Sequence, residues 1–448
     1  MKVLWLCNVM MPMIAEQLKL EASNKEGWLS GLAAVTLDKR EENGIELAVA
    51  FPAPENMLPE GQDVCMRTIA LRGGRLACYG FREDVARPEI YDKGLEKRLE
   101  WILDSCGPDV VHCFGTEYPH TLAMCRVFPK KNRLLLSIQG LCSLYAESYF
   151  ADLPERVIRS ATLRDCLRRD NLRRQQRKFA MRGNMEIEAI KLAGNIAGRT
   201  EWDRLHTEEW NPKARYYSLN ETLRENFYGA VWNREACIPH SIFLSQGDYP
   251  IKGFHYMLTA MPEILRKFPD ARVYVAGNSI INYGTLKEKL KISGYGKYLR
   301  GLIREKGLQD RVAVLGKPNG EQMKERYLKS HLFVCCSSIE NSPNSLGEAM
   351  LLGMPCVSAD VGGIPSIFTG GEDGIMYRGY RRNKNNNSNL DAVSERLAKS
   401  IIEIWENQEQ LDKYCNNARK HAEKNHDPEK NYAKMTEIYK SIVAESEE

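Results

Sequence analysis

Between His331 and Ile367 the chain reads HLFVCCSSIENSPNSLGEAMLLGMPCVSADVGGIPSI, and few folds accommodate that string. His331–Ser337 is a short apolar run rich in strand formers. Gly353-Met354-Pro355 stops the segment before it, and Pro355–Asp360 begins a second apolar run. The order predicts strand, loop, helix, strand. Ser342 is placed to cap the helix and Pro343 to open it, where a missing N–H costs nothing. Amides at such a helix start favour an anion such as phosphate.

Two carboxylates bracket that helix start. Glu340 lies in the loop before it, and Glu348 lies inside it, roughly 7–8 Å along the axis. A diphosphate resting on the amides of Asn344, Ser345 and Leu346 would have one carboxylate on each side. Each can accept from a diol, one on a sugar and one on a ribose. A nucleotide sugar carries those groups. Solvated glutamates on an ordinary βαβ unit are the plainer reading of the same residues.

The whole string is more specific than its two glutamates. Glu340-x7-Glu348, with Glu348 opening Glu-Ala-Met and with Gly-x-Pro and Gly-Gly-Ile-Pro downstream, resembles the donor-site signature of retaining, family-4-type glycosyltransferases. The resemblance implies the GT-B fold: α/β, with two Rossmann-like, doubly wound domains facing a central cleft. A second stretch, Ser245–Gly253, is similar to the family's diphosphate motif of an arginine and a Lys-Gly pair. Lys252-Gly253 matches it. The arginine does not: its place is held by Gly247, with Gln246 beside it.

Carried over residue by residue, the resemblance makes Glu340 and Lys252 the catalytic pair. Glu348 then holds the ribose. Ser342, Asn344, Ser345, Leu346, Gly253 and Gln246 surround the rest of the donor, and the backbone at Gly316 and Lys317 meets the base. A sugar would pass from a nucleoside diphosphate, UDP by preference, to a hydroxyl with its anomeric configuration kept. No cofactor is implied. The chain has no Asp-x-Asp, and with Lys252 and a helix dipole present no metal is expected.

The first half alternates strand-like and helix-like segments. Lys2–Val9, Ile45–Phe51, Val110–Phe114 and Leu134–Ile138 read as buried strands, with helices at Tyr91–Ser105 and Thr121–Phe128. Alternation predicts a parallel sheet, whose ligands sit beyond the carboxyl ends of its strands. The post-strand loops therefore supply the acceptor-side candidates: Gly27 and Trp28, then Glu117 with His120, then Gln139, then Arg199 in a turn that Thr200 and Asp203 can cap. Gln139 stands where many relatives have a histidine. It can hydrogen-bond a hydroxyl but cannot shuttle a proton.

At 448 residues the chain suits two domains. The expected division is 1–235 for the acceptor and 236–428 for the donor, with the helix in 429–448 crossing back onto the first domain. Asn383–Asn389 reads as a surface loop. No apolar run approaches the roughly 18 residues of a membrane span. Thirteen cysteines, an odd number with no C-x-x-C, and a start that shows no secretion signal point to reduced thiols in the cytoplasm.

The net charge is only +4, yet residues 155–182 carry ten Lys or Arg against few acids. Apolar residues at Val157, Ala161, Leu163, Leu167 and Phe179 predict helices with one buried face. The charged face suits anionic lipid headgroups or a lipid-linked acceptor, at the inner face of a membrane. Nucleic acid is not an expected partner, since no recognised motif or interleaved aromatics occur. The competing functional readings are a nucleotide-sugar-binding subunit without turnover and another GT-B activity, a phosphorylase or an epimerase.

Overall fold

The computed structural model describes residues 1–21, 27–281, 290–381 and 389–445. The chain divides into two compact units. One comprises Met1–Ser143, Phe179–Glu225 and His426–Glu448; the other comprises Leu144–Lys178 and Asn226–Asn425.

The first unit is built on eight strands: β1 (Lys2–Cys7), β2 (Glu46–Pro52), β3 (Val64–Leu71), β4 (Gly74–Phe81), β5 (Val110–Phe114), β6 (Leu134–Ser137), β7 (Asn195–Gly198) and β8 (Arg215–Ser218). Their order in the sheet is β3-β4-β2-β1-β5-β6-β7-β8. Every pairing is parallel except that of β3 with β4. Strands covered on both faces read as continuous apolar runs, as β5 does, where all five residues are buried. The β3–β4 hairpin was not foreseen. Its turn residues Arg72 and Gly73 both have positive φ, 48° and 70°, the backbone that a two-residue hairpin turn needs.

The second unit has a six-stranded, wholly parallel sheet: β9 (Ile238–Leu244), β10 (Arg272–Val275), β11 (Val312–Val314), β12 (Ser330–Cys335), β13 (Cys356–Asp360) and β14 (Ile375–Arg378). The order is β11-β10-β9-β12-β13-β14. Strand order therefore reverses between β9 and β12, and in the first sheet between β1 and β5. Those crevices are where open parallel sheets bind ligands.

The helix Pro428–Ala444 belongs to the first unit. Trp5 Nε1 donates to Tyr439 Oη at 2.9 Å, and His112 Nδ1 lies 2.6 Å from the same oxygen. Burial pulls the His112 imidazole down to about 3, so it stays neutral between Tyr439 and Ser137.

The units differ from the expected division by short shifts at both boundaries, to 226 and 426, and by one whole segment. Residues 144–178 pack in the second unit, not within 1–235, because a series of polar anchors fixes them there. Ser338 Oγ reaches the Ser148 carbonyl at 3.3 Å, His255 Nε2 lies 2.6 Å from the Ala151 carbonyl, and Tyr256 Oη donates to Asp152 at 3.0 Å. All thirteen cysteines are free thiols, and all but Cys166 are buried. Among the described residues no helix is long and apolar enough to cross a membrane.

Candidate functional site

The β9–β12 crevice gathers the donor-side candidates that lie after those two strands. After β9 a short 3-10 turn, Pro250–Lys252, ends at Gly253; after β12 the loop Cys336–Pro343 leads to the helix Asn344–Leu351. Gly253 has φ 73°, and a Cβ there would stand 1.8 Å from the Cys336 carbonyl oxygen. Gly362, at φ 53°, presses on the same loop from the β13 side, where a Cβ would stand 2.0 Å from the Glu340 carbonyl oxygen. Two glycines thus let three post-strand loops close on one another.

That closeness brings Lys252 to Glu340. Lys252 Nζ donates to Glu340 Oε1 at 2.6 Å, and Ser337 Oγ donates to the same oxygen at 2.8 Å. The Gly363 amide holds the Glu340 carbonyl at 2.9 Å. The Lys252 side chain is 25% exposed and that of Glu340 9%, so the carboxylate is the more sheltered of the two. Burial pulls the Lys252 pKa down, but the charge and hydrogen bond of Glu340 outweigh it and the net shift is upward. The ammonium is fixed as a cation.

The helix start is shifted by one residue from expectation. Pro343, not Ser342, is the N-cap, with φ −70° and ψ 114°, and the helix begins at Asn344. The Pro343 carbonyl takes the Leu346 amide at 2.9 Å and the Gly347 amide at 3.3 Å. The Leu346 amide is therefore spent inside the helix and cannot cradle a phosphate; Asn344 and Ser345 lead the helix. Tyr327 Oη pins the Ser345 carbonyl at 3.0 Å. Glu348 lies one turn into the helix and is buried, as is Ser342.

Gln246 and Gly316 both lie against Gly277, at the carboxyl ends of β9 to β11. The Gly277 amide donates to the Gly316 carbonyl at 2.8 Å, and Gln246 Cγ would lie 3.6 Å from a Cβ on Gly277. Lys317 beside them is exposed. Gly247 is enclosed: a Cβ there would stand 2.5 Å from Val275 Cγ2 and 3.1 Å from the Phe254 ring. No side chain fits at that position without a neighbour moving.

In the first unit the expected cleft residues engage one another. Glu221, which the sequence reading passed over, takes an ion pair from Arg199 at 2.6 Å and a hydrogen bond from Gln139 Nε2 at 2.6 Å. Arg199 Nη2 also donates to the Gln139 carbonyl at 3.0 Å. The guanidinium is neutralised within its own unit. Arg199 and Glu221 line, with Trp28, a cavity of only about 20 Å³. Trp28 itself is buried edge-on against Phe114 at 5.8 Å, a core role. Gly27 starts the helix Gly27–Asp38; Lys25 and Glu26 before it, like residues 383–388, lie outside the described residues.

The loop after β5 carries a buried polar chain. His120 lies 3.1 Å from Asn8 Oδ1 and 2.6 Å from Glu83 Oε2, with no exposed surface. Beside it, burial pushes the Glu117 carboxyl up, opposed by its backbone hydrogen bond and the Arg182 charge. Glu186, on the helix Leu172–Leu192, accepts from Thr116 Oγ1 at 2.9 Å and from the amides of Cys142 and Ser143. Burial still drives its carboxyl up to about 8. Glu83, Asn8 and Glu186 are scattered through the sequence, and only the tertiary fold brings them to the segment after β5.

The basic segment does not form the expected buried face. Val157 is buried, but Leu163 is 58% exposed and Leu167 77%. The short helix Leu163–Arg168 is held instead by its polar start: Thr162 and Asp165 form a capping box, Thr162 Oγ1 donates to the Ile292 carbonyl at 2.7 Å, and the Gly294 amide donates to Asp165 at 2.8 Å. Polar anchoring turned the leucines outward.

Residues 240–421 match the family described as Glycosyl transferases group 1. An uncharacterized glycosyltransferase of Methanocaldococcus jannaschii is 31% identical over 124 residues, 28% of each chain. This and three further curated relatives are matched over less than half of their own length. Sucrose-phosphate synthase from Thermosynechococcus elongatus is similar in structure at a TM-score of 0.65 and 14% identity, over 99% of this chain and 100% of that one. Anabaena HepE in complex with UDP and glucose is similar at 0.62 and 15%, over 98% and 100%. At such identities the likeness is one of fold. The chain has the GT-B fold of two Rossmann-like domains, and its residues 240–421 are similar to the glycosyl transferases group 1.

Proposed function

We propose that the protein is a retaining glycosyltransferase that moves a sugar from a nucleoside diphosphate to a hydroxyl of a saccharide or lipid-linked acceptor. The observation that carries this reading is the Lys252–Glu340 contact, 2.6 Å across the switch point of the second sheet. UDP is the favoured carrier, since HepE, a structural neighbour, is recorded with UDP and glucose.

The reaction must stabilise negative charge on a departing diphosphate and positive charge on a sugar ring. Lys252 and the leading amides of the helix Asn344–Leu351 meet the first need with charge already in place. Glu340 accepts from sugar hydroxyls and orients the ring; Glu348 holds the ribose. Attack comes from the face the diphosphate leaves, so the acceptor O–C bond forms as the bond between the anomeric carbon and the diphosphate oxygen breaks, and the acceptor proton passes to the departing phosphate. No separate base and no metal is required in this scheme.

The test is nucleotide release from UDP-, GDP- and ADP-sugars, with and without acceptor extracts and with chelator, for the wild type, Glu340→Ala and Lys252→Ala. Release from one donor, lost in both variants and insensitive to chelator, supports the proposal. The glycine at 247 favours a second reading, a binding subunit without turnover; donor binding with no release across the panel would establish it.

A further inference from the structure

We infer that one face of the second unit, built from the helices of residues 155–178 and the helix Gly294–Glu305, is a docking surface for an anionic lipid bilayer, with Leu163 and Leu167 as its inserted apolar residues. Leu167 is the most exposed large hydrophobic side chain among the described residues, at 77%. Leu163, at 58%, lies four residues earlier on the same helix face. The capping box and its bonds to Ile292 and Gly294 hold the opposite side of this helix to the protein. The leucines therefore point outward as a fixed pair.

Their surroundings supply the charge. Residues 155–178 hold nine Lys or Arg and three acids, a surplus of six in a chain whose net charge is only +4. The acids do not show outward as free charges. Glu155 is engaged by Arg159 and Arg173, Asp165 is buried in the capping box, and Asp170 lies 3.4 Å from Arg164. Arg168, Arg169, Arg174 and Arg177 are exposed and have no acidic partner among the described residues. A groove of about 310 Å³ continues the face between Arg156 and Lys297, with Ser160 and Tyr298 on its walls and one acid, the exposed Glu305, at the end of the helix Gly294–Glu305.

Two exposed leucines ringed by unpaired arginines suit one environment. A bilayer surface offers headgroup phosphates to the guanidinium groups and acyl chains to the leucines within a few ångströms of each other. A nucleic acid satisfies the arginines but leaves the leucines in water, and the patch has no exposed aromatic on which a base would stack.

The experiment is co-sedimentation of the full chain with vesicles of phosphatidylcholine alone and of equal parts phosphatidylcholine and phosphatidylglycerol. Its readout involves no sugar donor, so it succeeds or fails independently of the transfer reaction. Expected are binding to the anionic vesicles only, weakening with salt, a drop of about tenfold in Leu163→Ser/Leu167→Ser, and about fivefold for each change in Arg168→Gln/Arg169→Gln. The substituted side chains are exposed, so all variants should share the wild-type thermal midpoint, and loss of binding counts only where they do. The arginine pair tests the face even where the leucine pair fails to fold. Binding to neither vesicle, equal binding to both, or wild-type binding by the leucine variant would overturn the proposal. So would displacement from vesicles by single-stranded RNA that the leucine variant resists no differently, which marks a polyanion site.

Discussion

Lys252 and Glu340 come from loops after two adjacent parallel strands, 88 residues apart in sequence, and meet at 2.6 Å. Each is the other's counter-charge, so removing either one changes the state of the other. Lys252→Ala is expected to lower the release rate about 10²–10³-fold, the cost of one preorganised donor at a developing charge. Single-turnover assays should show the loss in the chemical step. Because Glu340 holds the Lys252 pKa above the usual lysine range, the wild-type rate should not fall through the loss of this cation below that range.

Gly362→Ala tests how tightly the Glu340 loop is held. The new Cβ would sit 2.0 Å from the Glu340 carbonyl, on a backbone with φ 53°. Urea denaturation should show a loss of about 1–3 kcal/mol. Activity should fall further than stability, since the Gly363–Glu340 hydrogen bond fixes the carboxylate's loop.

Gly247→Arg restores the residue that the resembling family places there, and it should not restore function. Val275 and Phe254 fill the space at that position. Overpacking of this kind costs about 1–3 kcal/mol. The thermal midpoint should drop and release should not rise. Val275→Ala in the same chain should recover part of the stability.

Glu186 sets a pH dependence in the first unit. Burial pushes its folded carboxyl up to about 8, well above the ordinary glutamate value of 4.5. Between those values the folded state keeps a proton that the unfolded state has lost, so this group makes stability fall as pH rises through that window. Glu186→Gln should flatten that part of the stability–pH profile, as denaturant midpoints taken across the window would show.

The contacts of the second unit were legible because their signals are local. Lys252-Gly253, Glu340 and the helix behind Pro343 each occupy a few consecutive residues, and the strand order β9–β12 then joins them. The one-residue shift at the helix start arose because proline suits both the N-cap and the first turn. The Arg199–Glu221 pair and the Asn8–His120–Glu83 chain could not be read in advance, since their members are distant in sequence and meet only through sheet topology. Leu163 and Leu167 have the spacing of a buried face, and periodicity does not record that a capping box turned it outward. The β3–β4 hairpin did leave a signal, the Arg72-Gly73 turn, that was passed over.

The segment 144–178 changes how this protein could be recombined with its relatives. A chimera joined at residue 226 would carry most of the second unit but leave behind the partners of Ser338, His255, Tyr256 and Gly294, which are Ser148, Ala151, Asp152 and Asp165. Exchange of the second unit therefore calls for two grafts, 144–178 together with 226–425. The natural module of exchange in this chain is discontinuous, and an insertion from the first half travels with the second.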